Sequence, residues 1–317
     1  MATKAKKDPS AEMKSLLGPL WSAFSLKNVW ELVVDAYNEV YYIDNGKMVM
    51  LDKVFKKSTE LDQVVTRLLA FHQKKKKSEE LSYFFNLDQY TKVAIVLPPL
   101  AIKGPSIVIT KLPIQDLTFD DLIRFKALDS EGKNVIEKML ASNKGFIVAG
   151  NMGSGKTTML NLLVNGIPQP NRVVTLERIP DLLIKRPHVC RIQSQTQKAS
   201  EMIDLIGVAE RMRADYLVLS DCVGPELMPF MEMVRSNCIG VMLTTGESVL
   251  DTIKRIETKA VVSSDGMNLE EVRYAIAQAF KYLLFQEKTA EGVRQVSSIS
   301  ELVYESGELK LKAIYKR

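Results

Sequence analysis

The chain is poor in the residues that build metal centres and disulfide frameworks. Its 317 residues include three cysteines and two histidines. Cys190, Cys222 and Cys238 show no CxxC spacing, which excludes a zinc ribbon and a disulfide scaffold. His72 and His188 cannot form a histidine-rich site. Metal chemistry would have to draw on carboxylates, hydroxyls and phosphates, the donor set of magnesium. Aromatic residues make up 7% of the chain and none interleaves with the basic run Lys74-Lys75-Lys76-Lys77, so little supports a nucleic-acid face. No apolar run approaches the ~18 residues that span a bilayer. The longest, 93–102, is cut by Pro98 and Pro99. The lysines at the start, followed by 16–24, resemble a signal peptide only faintly, because Gly18, Pro19 and Ser22 interrupt the stretch. A cytoplasmic protein is expected.

What is present is ordinary globular composition, 46% hydrophobic and 26% charged, at a length that suggests two domains. The net charge of +5 is uneven: residues 1–111 hold 17 Lys+Arg against 12 Asp+Glu, and 112–317 hold 26 of each. The lysine run reads as a solvated loop or as a patch for an acidic partner.

Residues 1–11 are expected to be a disordered basic tail, and 12–111 a small α+β domain. Within it, Met13, Leu16, Leu17, Leu20, Trp21 and Phe24 follow helical spacing, weakened at Gly18-Pro19. Residues 40–43 and 48–51 flank Asn45-Gly46, a hairpin signal. Leu61, Val64, Val65, Leu68, Leu69 and His72 mark one helix face, with His72 a structural residue at its end. Residues 93–97 and 106–110 read as strands. A linker is expected over 112–125, with helices at 119–125 and 134–140. From Gly145 the grammar becomes strand, loop, helix, repeated. Short apolar runs at 146–149, 172–176, 216–219 and 239–244 suit buried parallel strands, predicting a doubly wound α/β domain over 126–317.

Gly150-Asn151-Met152-Gly153-Ser154-Gly155-Lys156-Thr157 matches GxxxxGK[ST], between the strand at 146–149 and a helical stretch from Thr158. Glycines let the backbone curl so that N–H groups point inward at phosphate oxygens, and the helix amino terminus adds partial positive charge. Gly150, Gly153, Ser154, Gly155, Lys156, Thr157 and Thr158 are therefore the candidate ATP-binding residues. Lys156 is placed at the β and γ phosphates and the Thr157 hydroxyl at Mg²⁺.

Hydrolysis also needs one acid near magnesium and one to orient water. Asp221, ending 216–220, has the Walker B position and is the second candidate metal residue. Glu177, ending 172–176, is the expected water-orienting carboxylate; its plain structural alternative is a salt bridge to Arg178. Asp181 and Glu226 are weaker candidates. Thr244 and Thr245 could sense the γ phosphate or be ordinary strand residues. Arg211 and Arg213 precede Walker B on a helix. Either could stabilise transferred charge, within the chain or from a neighbour, or form surface ion pairs; Arg211 is taken as the candidate.

This order of parts resembles the secretion and pilus-assembly ATPases of the type II/type IV superfamily, most closely the tight-adherence (Flp) pilus branch, CpaF. The resemblance runs from about Lys27 to the early 280s. It is carried by VAIVLPPLAIKGPSIVITK (93–111), LTFDDLIRF (117–125), GNMGSGKTTMLNLLVNGIP (150–168), RVVTLERIPDLLI (172–184), RPHVCRIQ (186–193) and RMRADYLVLSD (211–221). It implies a RecA-like P-loop domain, ATP with Mg²⁺, and the catalytic glutamate at Glu177. It further implies a homo-hexameric ring, nucleotide between the two domains and near a neighbouring subunit, and an inner-membrane platform partner. No nucleic acid is expected.

The chain also departs from the family's motifs. Ser220, Asp221 and Val223 replace the usual end of Walker B and its arginine, Gly246 stands at the His-box histidine, and Arg178 at the second Asp-box acid. Thr110 replaces the linker arginine, leaving Lys111. Each lost charge donor would remove about 3 kcal/mol of transition-state stabilisation. The alternative expectation is therefore a degenerate paralogue that binds nucleotide with little hydrolysis.

Overall fold

The structure is a computed structural model. It describes residues 9–26, 29–44, 47–71, 81–88, 90–111, 117–195, 198–222 and 224–317. Several features read from the sequence lie outside these residues: most of the basic tail, Asn45-Gly46, His72, the lysine run, Pro113 and Val223. The chain divides into two compact units, Met1–Gln115 and Asp116–Arg317.

In the first unit α1 (Pro9–Leu17) stops at Gly18, whose φ of 53° is the left-handed conformation that ends helices. A 3-10 turn (Gly18–Leu20) and the short α2 (Trp21–Phe24) follow, so the single weakened helix is three pieces. The strands are β1 (Val29–Ala36), β2 (Glu39–Asp44) and β3 (Lys47–Leu51), then, after α3 (Ser58–Phe71), β4 (Ser82–Asp88), β5 (Thr91–Val96) and β6 (Ser106–Lys111). They pair antiparallel in the order β3-β2-β1-β6-β5-β4. Burial alternates along β5 and β6, as expected when one face is covered. That face packs Val93, Ile95, Ile107 and Ile109 with Leu61, Val64 and Leu68 of α3.

The second unit begins with α4 (Phe119–Arg124) and α5 (Ser130–Ala141). It continues with β7 (Phe146–Gly150), α6 (Lys156–Gly166), β8 (Val173–Glu177), β9 (Val189–Gln193), α7 (Ala199–Glu210), β10 (Tyr216–Leu219), α8 (Leu227–Ser236), β11 (Ile239–Leu243), α9 (Val249–Ser263) and α10 (Leu269–Ala279). It ends in β12 (Tyr282–Lys288), β13 (Arg294–Glu305) and β14 (Glu308–Lys316). Among the described residues the sheet runs β14-β13-β12-β7-β11-β10-β8-β9. The six strands from β12 to β9 are parallel, as expected, while β13 and β14 extend the sheet antiparallel. Every residue of β7, β8 and β10 is buried, because helices cover both faces. One apolar cluster packs Leu160, Leu163 and Ile136 against one face, and a second packs Ile206, Phe230, Ile256 and Ile276 against the other.

Arg186 ties down the end of α6, donating to the carbonyls of Val164, Ile167 and Asn171 at 2.8–3.1 Å. At α10 the Asn268 side chain accepts from the Glu271 N–H while the Glu271 side chain accepts from the Asn268 N–H, a capping box. Asn268→Ala should cost about 1 kcal/mol of stability, measured by urea denaturation.

Candidate active site at the carboxyl edge of the parallel strands

The glycine loop leaves β7 at Gly150 and enters α6 at Lys156. Gly153 and Gly155 have φ of 74° and 90°, the left-handed region open to glycine. Gly150 is required by close approach. A Cβ there would lie 1.8 Å from the Gln286 carbonyl oxygen, because β12 pairs Gln286 with Gly150. The Ser154 hydroxyl is buried with no hydrogen-bond partner, as is the Gln286 carboxamide oxygen, and the Gln286 Nε2 lies 3.2 Å from where a Gly155 Cβ would be. Unsatisfied buried polar groups are costly. The backbone amides at the helix amino terminus, with the Ser154 hydroxyl as a further donor, fit an anion that enters the loop; the Gln286 oxygen is an acceptor and calls for a donor instead.

Lys156 donates from Nζ to the Asn151 carbonyl at 2.8 Å. Burial lowers its pKa, while the charges of Glu247 and Asp221 oppose that shift. Asp221 therefore stands near the loop, two residues past β10. Protein packed around its carboxyl raises its pKa and Glu226 raises it further, whereas Arg178, Lys259 and Lys156 pull it down. Thr157 and Thr158 are partly exposed in the first turn of α6. The hydroxyl of Thr157 and the carboxylate of Asp221 are suitable donors for Mg²⁺, with phosphate oxygens completing the shell. Among the described residues no group of three or more His, Cys, Asp or Glu is placed to hold a metal ion.

Glu177 stands at the end of its strand, as read, but its carboxylate is already engaged. It is the last residue of β8, 1% exposed, with both oxygens occupied. Oε1 accepts from the Thr175 hydroxyl at 2.7 Å and Arg191 Nε at 2.8 Å. Oε2 accepts from Arg191 Nη2 at 2.7 Å and the Leu182 N–H at 3.1 Å. The salt-bridge alternative named the wrong arginine. Arg191 reaches Glu177 because the register of β8 and β9 sets Thr175 beside Arg191. Arg178 instead pairs with Glu226 at 2.7 Å, the two side chains 4% and 0% exposed. The charges that oppose the shift on Lys156 include that of Glu247, just beyond β11.

Arg211 caps the carboxyl end of α7 and is exposed, ahead of the amino end of β10. The strands run parallel to β7, so Arg211 lies at the sheet edge opposite the loop and does not join Lys156 and Asp221 within one chain. Arg213 follows the helix rather than lying on it. Thr244 lies past the end of β11, buried, with its N–H on the Val148 carbonyl. The Gly246 N–H reaches the Gly150 carbonyl at 3.2 Å. A Cβ on Gly246 would sit 2.2 Å from the Thr252 hydroxyl, so a histidine does not fit there without movement of α9.

The second unit is thus a P-loop domain of the RecA-like class: a parallel sheet wrapped by helices, with a lysine-bearing glycine loop and a strand-end acid on one edge. A family model described as Type II/IV secretion system protein matches residues 51–287, and the chain belongs to that family. It is similar to a putative conjugal transfer protein of Mycobacterium tuberculosis, 23% identical over 69% of this chain and 64% of that protein. It is also similar to the type IV secretion system protein VirB11 of Bartonella henselae, 26% identical over 52% of this chain and 48% of that protein. The chain therefore spans less than two thirds of the length of these relatives. In structure it resembles the pilus retraction motor PilT, solved with bound ADP, with a TM-score of 0.62 at 17% identity over 95% of this chain and 83% of that one. Among the described residues no helix is long and apolar enough to cross a membrane.

Proposed function

We propose that the chain is a nucleotide-binding motor subunit that hydrolyses ATP, with Mg²⁺, to drive secretion or type IV pilus assembly. The observation that carries this reading is the glycine loop at the amino terminus of α6, with Lys156 in its first turn under the charges of Asp221 and Glu247 and the Ser154 hydroxyl unpartnered beside it. Loop amides and Lys156 would hold the phosphates. Thr157 and Asp221 would hold Mg²⁺, which neutralises phosphate charge when bound. The sequence motifs favour the Flp-pilus (CpaF-like) branch, and membership of the family is consistent with a homo-hexameric ring and an inner-membrane platform partner. The protein would be cytoplasmic and peripheral at that membrane, without nucleic acid. Nucleotide-driven closure of the two domains would move the platform. Arg211, remote from the loop of its own chain, would act only toward a neighbouring subunit.

A second reading is favoured by Glu177. With four donors on its two oxygens, it holds no lone pair turned to water, and Gly246 supplies no histidine. In that reading the chain binds nucleotide but turns it over little, as a regulatory or structural subunit. ATP binding and phosphate release measured on one preparation separate the two. Turnover removed by Glu177→Gln supports the motor; binding with negligible turnover supports the degenerate subunit. If no nucleotide binds, neither reading survives.

A further inference from the structure

The hairpin formed by β12 and β13 grips the glycine loop from the side opposite the acids. The Asn151 side chain accepts from the Lys288 N–H at 2.8 Å and donates to the Lys288 carbonyl at 3.2 Å. Arg294 donates from Nε to the Gly153 carbonyl at 2.9 Å. The Lys288 Cδ lies 3.7 Å from where a Gly153 Cβ would be, and the Arg294 Cδ 3.8 Å from where a Gly155 Cβ would be. Both cationic side chains therefore stand at the loop.

Lys288 and Arg294 are also direct partners across the two strands. Like charges placed directly opposite destabilise a strand pair. Among the described residues no carboxylate pairs with either. An anion held between them and the loop removes that repulsion. The Ser154 hydroxyl, buried and unpartnered, is a further donor within the same loop.

The loop has two electrically different flanks. Asp221 and Glu247 lie on the β10 and β11 side, where a phosphate is tolerated only with a cation between. Lys288 and Arg294 lie on the β12 and β13 side, where a phosphate binds directly. Resting on the nucleotide-binding reading above, we propose that Lys288 and Arg294 form a phosphate subsite for the nucleoside-proximal phosphates, those shared by ADP and ATP. The terminal phosphate then points toward Asp221. On binding, Arg294 exchanges the Gly153 carbonyl for a phosphate oxygen.

The test is calorimetric titration of the full chain with ADP and with a nonhydrolysable ATP analogue, both with Mg²⁺, at two salt concentrations. It compares wild type, Lys288→Gln, Arg294→Gln, Arg294→Lys and the double glutamine variant. Each glutamine substitution should weaken both nucleotides equally, by about tenfold, the scale of one charge-assisted hydrogen bond. The double variant should lose more and show a flatter salt dependence, and Arg294→Lys should recover part of the loss. The melting temperature without nucleotide should stay level or rise, which a merely structural role would not give. Unchanged affinities, a loss confined to the ATP analogue, or a loss accompanied by a lower melting temperature without nucleotide would overturn the subsite while leaving wild-type binding intact. A wild type that binds neither nucleotide removes the underlying reading and the subsite together.

Discussion

Lys156→Ala is expected to weaken Mg²⁺-ATP binding about a hundredfold and to abolish any turnover. The chain should nevertheless fold as before. Lys156 contributes charge-assisted hydrogen bonds to the phosphates, interactions worth about 1.5–3 kcal/mol, where about 1.4 kcal/mol corresponds to a factor of ten. In the structure its ammonium rests on the Asn151 carbonyl, and burial lowers its pKa. That lowering means the folded protein disfavours the charge, which only a nearby anion offsets. Removing the lysine removes this cost. Thermal unfolding without nucleotide should therefore occur at the wild-type temperature or above it, while the shift caused by added nucleotide disappears. A variant that retains wild-type affinity would show that the loop does not hold a triphosphate through this residue.

Breaking the Arg178–Glu226 pair is expected to have the largest effect on stability. Both side chains are buried at a separation of 2.7 Å. Removing one partner leaves a buried charge without its principal counterion, which costs about 3–5 kcal/mol. Arg178→Ala and Glu226→Ala should each lower the urea midpoint by that order. Replacing both with apolar residues of similar size, Arg178→Met with Glu226→Leu, should recover most of it. The same substitutions reach the site electrostatically. Arg178 pulls the Asp221 carboxyl down, so Arg178→Ala should raise its pKa further and narrow the pH range in which Asp221 is ionised. Single variants as stable as wild type would contradict this account.

The parts legible in the sequence are those whose signal is local. The glycine loop occupies eight consecutive residues, and β7, β8, β10 and β11 are each a short, largely apolar run. The residues β1, β4, β13 and β14 bring to the sheets were not read, because half-exposed antiparallel strands mix polar with apolar positions. The segment RQVSSISELVYE, which forms β13, contains no apolar run. Site residues contributed by distant segments were missed for the same reason. Nothing beside Gln286, Lys288 or Arg294 in sequence shows that β12 sets Gln286 beside Gly150 and that the β12–β13 hairpin brings Lys288 to Asn151 and Arg294 to Gly153. Glu247 carries no motif of its own and becomes visible through its charge on Lys156. Glu177 was found by position, but its occupancy by Arg191 depends on the pairing of two strands joined by a long connection. The partner of Arg178 is likewise visible only in three dimensions, since Glu226 comes from a distant segment.

The most direct test is isothermal calorimetry of the unaltered chain with a nonhydrolysable ATP analogue in the presence of Mg²⁺. Saturable binding of one nucleotide per chain in the micromolar range is the predicted result. Heats no greater than dilution at millimolar nucleotide would contradict the account, because the loop from Gly150 to Thr157 would then not be a phosphate site.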